Sequence, residues 1–184
     1  MNRVGLALSH IGLFVHDMAL MEDFYTRVMG FTVTDRGQLR GPAGPIDLVF
    51  TSRDPDEHHQ IVLASGRPAE RGFNIVNQLS LKADGLTSLR EMFRRFVAEG
   101  LTPVLPVTHG NAVSVYAPDP EGTRLEIYID TPWYVSQPMR VPVDLSLDDA
   151  ALMQHVLSHA ASLPGFKPRA QWRAEMASRM GLEH

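Results

Sequence analysis

The stretch LSHIGLFVHD, Leu8 to Asp17, reads as the end of a strand running into a helix start, and the same reading returns in VNQLSLKAD, Val76 to Asp84. Around the first copy, β-branched and aromatic residues predict a strand over Leu6 to Val15, and after Asp17 the period changes. Leu20, Met21, Phe24, Tyr25, Val28 and Met29 then recur at spacings of three and four, which is one face of a helix. Gly30 stops it. Phe31 to Asp35 reads as a strand, Gly37 to Pro45 as a turn-rich connection, and Ile46 to Thr51 and His59 to Ala64 as two further strands.

The second copy keeps this order: a strand over Asn77 to Ala83, a helix over Leu86 to Ala98, a stop at Gly100, then strands over Pro103 to Val107, Ala112 to Ala117 and Arg124 to Ile129. With His10 laid on Gln78, Ile11 falls on Leu79, Leu13 on Leu81, Met21 on Leu89 and Tyr25 on Phe93. Identity is low, but the apolar pattern is shared. A strand, a helix and three strands bury little alone, so an α+β fold is predicted in which two βαβββ modules, residues 1–66 and 67–135, pair into a curved sheet around a cleft.

Residues 136–184 differ in character and read as a strap and a helical C-terminal tail. Thr131 to Pro142 holds three prolines and the pair Trp133-Tyr134, which suits extended chain. Ser146 with Asp149 three residues on resembles a capping box for a helix through about Ser162. Its apolar stripe is Leu152, Met153, Val156, Leu157 and Ala160. Pro164-Gly165 breaks it, and Ala170 to Met180 reads as a second helix with Trp172 and Met176 one turn apart. The tail is expected to pack on the outside of the modules or on a partner subunit of a homo-oligomer rather than to close a cleft as a lid.

At 184 residues, 44% apolar and 21% charged, the chain has an ordinary globular composition. Seventeen basic and twenty-one acidic side chains give a net charge of −4 with no block of like charge, so a small ligand is expected rather than nucleic acid or a membrane surface. With no cysteine, disulfides, thiolate metal sites and a cysteine nucleophile are excluded. Met1 to Gly5 runs straight into the strand pattern, and no apolar run reaches the roughly 18–20 residues of a membrane span, so a cytoplasmic location is expected. His184, at the end of a tag-like Leu182-Glu183-His184, is assigned no role.

LSHIGLFVHD followed by a helix, together with DPEGTRLEIYID at Asp119 to Asp130, resembles the vicinal oxygen chelate superfamily, and DTPWYV at Asp130 to Val135 resembles the end of the same pattern. Within it the chain is most similar to extradiol ring-cleaving dioxygenases, particularly small one-domain forms acting on catechols such as 2,3-dihydroxybiphenyl. That resemblance implies a metal, Fe(II) foremost and Mn(II) or another divalent ion otherwise. The ligand positions would be His10, Gln78 and Glu126, with Gln78 standing where the family has a histidine. Two imidazoles and a carboxylate leave open positions for a catecholate and O2, and an amide oxygen is a poorer donor than imidazole.

The resemblance also implies catalytic roles for His59 in EHHQIVL and for His109 and Tyr116 in PVTHGNAVSVY. Histidines near neutral pKa and a phenol suit the proton transfers of ring opening. The residues themselves allow plainer readings: His58-His59 as exposed loop, His109 as a surface turn residue, Tyr116 as core. Glu126 lies between Leu125 and Ile127 in an apolar strand and points opposite to them, where a carboxylate needs a partner. His16, His155 and His159 are read as structural. The expected function is ring cleavage of a catechol-like aromatic with O2. A protein that keeps the fold to bind or sequester an aromatic compound without redox chemistry is the alternative, ahead of a non-oxidative lyase or a glyoxalase-like isomerase, for which His58 to Ser65 lacks a carboxylate.

Overall fold

A computed structural model describes residues 7–42, 44–70 and 72–182; Met1 to Leu6 and the last two residues, which carry part of the strand, N-terminal and tag expectations, lie outside them. The chain forms two compact units. The first comprises the residues up to Ile75 with Pro120–Gly122, and the second comprises Val76–Asp119 and Thr123 onward.

In the first unit, β1 (Ile11–Val15) leads to α1 (Met18–Asp23), which widens into a π-helical turn over Phe24–Val28. Asp17 caps α1 by accepting the Leu20 N–H at 3.0 Å. The π turn shifts the helical phase and keeps Phe24, Tyr25 and Val28 on the buried side with Met21 and Met29, whereas Leu20 is 46% exposed and leaves the predicted stripe. Gly30, at φ 72°, ends the turn as expected.

Strands β2 (Thr32–Gly41), β3 (Gly44–Ser52) and β4 (Ile61–Ser65) complete the unit in the order β1-β4-β3-β2, with β1 parallel to β4. Of the predicted connection over Gly37 to Pro45, residues 37–41 and 44–45 are instead strand, with Pro42 in a turn. Strand β2 pairs residue by residue with β3 as far as Gly41 against Gly44. As the edge strand, β2 needs no packed side chains on both flanks, so its glycine costs little there, and a register shift between Val33 and Asp35 absorbs the irregularity.

Glu121, from the DPEG run, belongs to this first unit and is 4% exposed. Its Oε1 accepts the backbone N–H groups of His16 and Asp17 at 2.7 and 2.8 Å, and its Oε2 pairs with Arg67 at 3.2 Å. It therefore fixes the junction between β1 and α1. Glu121→Ala orphans two donors and a mostly buried guanidinium, and is expected to lower unfolding stability by about 3 kcal/mol, read from a urea melt.

The second unit repeats the plan with β5 (Leu79–Lys82), α2 (Leu86–Ala98), β6 (Leu105–Thr108), β7 (Ala112–Pro118) and β8 (Arg124–Asp130). Its sheet runs β5-β8-β7-β6, the same order as the first, with β5 parallel to β8. The pairing of Ile11 with Ile61 recurs as Leu79 with Leu125, the register expected from laying His10 on Gln78. Period-2 alternation buries Val113, Val115, Ala117, Leu125, Ile127 and Ile129, and α2 packs on β7 and β8 with Leu89 and Phe96 fully buried. The opposite face carries the polar side chains.

The strap forms β9 (Trp133–Tyr134) and β10 (Val141–Pro142), the latter added to the sheet beside β6. Helix α3 (Asp149–Ala160) starts two residues later than the capping-box reading: Asp148 accepts the Ala151 N–H at 2.8 Å, while Ser146 is held in a preceding turn by Asp144. Strand β11 (Lys167–Pro168) pairs with β9 and feeds α4 (Arg169–Arg179). Arg90 of α2 donates to Leu145 O and Leu147 O, which anchors the tail to this unit. Among the described residues no helix is long and apolar enough to cross a membrane.

Candidate functional site

On the polar face of the second unit, the register sets Tyr116 beside Glu126, Ser114 beside Tyr128 and Ala112 beside Asp130, with Ser80 of β5 against Glu126. The sequence RLEIYID produces this because every second residue of β8 is apolar and faces α2. Glu126 is consequently 8% exposed yet surrounded by donors. Oε1 accepts Tyr116 Oη at 2.6 Å and Ser114 Oγ at 2.8 Å; Oε2 accepts Ser80 Oγ at 2.6 Å and Gln78 Nε2 at 2.9 Å.

Burial raises the pKa of Glu126, but the hydrogen bonds from Ser80, Tyr116 and Ser114 and the nearby His109 outweigh it and hold the carboxyl below its ordinary 4.5. The pH consequence follows. Because the folded value lies below the unfolded one, the carboxylate contributes stability above about pH 4.5 that is lost as pH falls through the folded value. Melting temperatures between pH 6 and 3 should fall more steeply for the native chain than for Glu126→Gln.

His109 extends the chain of contacts. Its Nε2 lies 2.9 Å from Tyr116 Oη and 4.0 Å from Glu126 Oε1, and its Nδ1 lies 2.7 Å from Met139 O. A carbonyl only accepts, so Nδ1 donates to Met139 O, and Nε2 is left facing the phenol oxygen. The strap holds this histidine through Met139 and through Gln137, which donates to His109 O at 2.8 Å. Gly110 lets the turn form: at φ 73°, a β-carbon there would lie 2.5 Å from Val135 Cγ2. The Tyr116 pKa is pushed far up, first by burial and then by its bond to Glu126, so the phenol keeps its proton at neutral pH.

The first unit brings His10 and His59 together because they stand one and two residues before the parallel strands β1 and β4. Their ring centroids lie 4.3 Å apart, and His58 Nδ1 lies 2.8 Å from His59 Nδ1. Burial, then the neighbouring His10 and His58, lower the His59 pKa and favour the neutral ring. His10 is exposed.

Of the residues expected from sequence, Gln78, His109, Tyr116 and Glu126 thus form one network and His10 and His59 form another. Ser80 and Ser114 are not among the residues expected from sequence, although each lies two residues from one that is, Gln78 or Tyr116, and so shares its strand face. Among the described residues no group of three or more His, Cys, Asp or Glu side chains is arranged to hold a metal ion. In the expected ligand set only His10 and Glu126 are of those types.

The donor set nevertheless suits a divalent cation. Glu126 is a buried, ionised carboxylate whose four hydrogen-bond donors are all neutral groups, and buried charge calls for a countercharge. Against this, those four donors already fill the carboxylate's lone-pair positions, and Gln78 presents its NH2 rather than its oxygen.

A cavity of about 260 Å³ opens beside Glu126 and His109, with Tyr134, Arg169 and Trp172 in its wall. Two residues of α4, Arg169 and Trp172, thus contribute to this wall.

The glyoxalase/bleomycin resistance protein/dioxygenase superfamily model matches residues 7–127. A biphenyl-2,3-diol 1,2-dioxygenase of Rhodococcus globerulus is 26% identical over 126 residues, 66% of this chain and 62% of that protein, so the match spans less than two thirds of the relative. Among solved structures, a glyoxylase/bleomycin resistance protein/dioxygenase domain from Frankia sp. EAN1pec aligns with a TM-score of 0.55 at 20% identity, covering 71% of this chain and all of that one. The fosfomycin resistance protein FosX of Listeria monocytogenes, solved with Mn(II) and sulfate, aligns at 0.50 with 18% identity over 70% of this chain and 95% of that one. These structures share the fold, and with the family match over most of its length, the chain belongs to the glyoxalase/bleomycin resistance protein/dioxygenase superfamily.

Proposed function

We propose that the protein is a metal-dependent extradiol-type dioxygenase that opens a catechol-like aromatic ring with O2. The observation that carries this reading is the unbroken contact chain from His109 through Tyr116 to Glu126. A cleft that only binds has no need of it.

His10, Gln78 and Glu126 would hold Fe(II), or Mn(II) in its place, and the ion would supply Lewis acidity and couple the diol electronically to O2. The protein's own residues handle the protons. His109, with hydrogen fixed on Nδ1 by Met139, offers Nε2 as the base for a catechol hydroxyl. A proton added there converts the contact into an Nε2–H bond to Tyr116 Oη, whose own hydrogen points at Glu126. The acquired charge then faces a carboxylate 4.0 Å away. Tyr116, with its pKa raised, acts as a donor and acid and never as a phenolate base. His59, favoured as neutral, would offer an N–H to the oxygen substrate.

One observation favours a second reading, a binding protein without redox chemistry: the Gln78 amide N–H occupies the Glu126 oxygen that a metal would need. Anaerobic loading with Fe(II), followed by oxygen uptake on a panel of catechols, separates the two. Uptake of one O2 per catechol with a yellow ring-fission product is expected. Saturable catechol binding without uptake would leave only the binding function.

A further inference from the structure

The cavity beside Glu126 has ends of opposite polarity. Glu126 and Asp130 lie on one face of β8, and four residues at about 3.3 Å each separate them by roughly 13 Å. At the Asp130 end, Oδ1 pairs with Arg169 at 2.7 Å and Oδ2 with Lys82 at 2.6 Å, so two cations share one carboxylate and the local balance is positive. Lys82 is 57% exposed along its side chain and does not line the cavity, whereas Arg169 does.

Arg169 is the first residue of α4, and its guanidinium is steadied by Asp130 and by Asn111 O at 3.4 Å. A planar guanidinium fork with donors to spare matches a carboxylate. The adjoining wall is aromatic: Tyr134 and Trp172 stack with centroids 5.1 Å apart and an interplanar angle of 12°. About 260 Å³ is below the usual range for a drug-sized ligand and suits one ring with a short side chain.

We propose that Arg169, with the Tyr134–Trp172 pair, forms a subsite for the carboxylate-bearing arm of a single-ring aromatic acid. This rests on the reading of the Glu126 end as the place where the ring reacts. The tail is then the specificity element. A ligand would set its diol toward Glu126 and its acid toward Arg169, the arrangement in which neither end opposes like charge.

The test uses the full chain without metal and ligands without a diol, so its failure is separable from failure of the dioxygenase reading, which oxygen uptake decides. Titration calorimetry would compare 3-phenylpropanoate with the neutral 3-phenylpropanol. The acid is expected to bind at least tenfold more tightly, and Arg169→Gln to abolish the difference. Equal affinities for the native chain, or a preference that survives Arg169→Gln, would overturn the proposal. Should that variant fail to fold, amide exchange on the native chain decides: 3-phenylpropanoate should protect residues 167–172, and protection confined elsewhere would equally overturn it.

Discussion

Gln78→His is expected to tighten Fe(II) binding at least tenfold, about 1.4 kcal/mol, in an anaerobic titration against a competing chelator. Two effects act in the same direction. Imidazole is the better donor for Fe(II) than an amide oxygen. The substitution also removes the amide N–H that now sits 2.9 Å from Glu126 Oε2 and fills one of its lone pairs. Ser80 Oγ stays on the same oxygen at 2.6 Å, so the carboxylate remains ionised and oriented. The lost amide bonds, to Glu126 and to Ser80, cost about 1 kcal/mol each of fold stability and leave the sheet intact. An unchanged Fe(II) affinity would mean that residue 78 does not face the metal.

Tyr116→Phe is expected to lower kcat for ring cleavage by about 10²-fold, within the range by which a positioned proton donor accelerates a reaction, while metal affinity changes little. Among the described residues the phenol is the only link between His109 Nε2 and Glu126 Oε1 at hydrogen-bonding distance, at 2.9 and 2.6 Å. Without it a proton taken up by His109 has no bonded route to the carboxylate, and the two stay 4.0 Å apart. Ser114 still donates to Oε1 at 2.8 Å and holds Glu126 in place. The signature is therefore a kcat effect with little movement in KM. A kcat equal to that of the native chain would remove Tyr116 from the chemistry.

Local periodicity made much of this legible. The helix expected over Leu86 to Ala98 from the repeated module is α2 with those ends, and the alternation in RLEIYID sets Glu126 opposite to its apolar neighbours. The duplicated module was visible because its apolar positions recur, and the sheet orders and strand registers repeat accordingly. What local pattern cannot carry is a partner distant in sequence. Strand β2 reads as turn-rich until its ladder with β3 is formed. Glu121 looks like a loop residue until its carboxylate meets the His16 and Asp17 amides more than a hundred positions away. Asp148 rather than Ser146 caps α3 because the preceding turn engages Ser146.

The site divides along the same line. Ser80 and Ser114 are small polar residues common in strands, and only cross-strand pairing gives them Glu126 as acceptor. Arg169 and Trp172 come from a tail whose own sequence says nothing about which surface it covers.

We propose that the buried, ionised Glu126 holds a divalent cation. Calorimetric titration of metal-free protein with Mn(II) at neutral pH, beside Glu126→Gln, tests it most directly. One saturable site per chain in the native protein, weakened at least a hundredfold in the variant, is the result expected. No saturable binding, or the same affinity in both proteins, would contradict it.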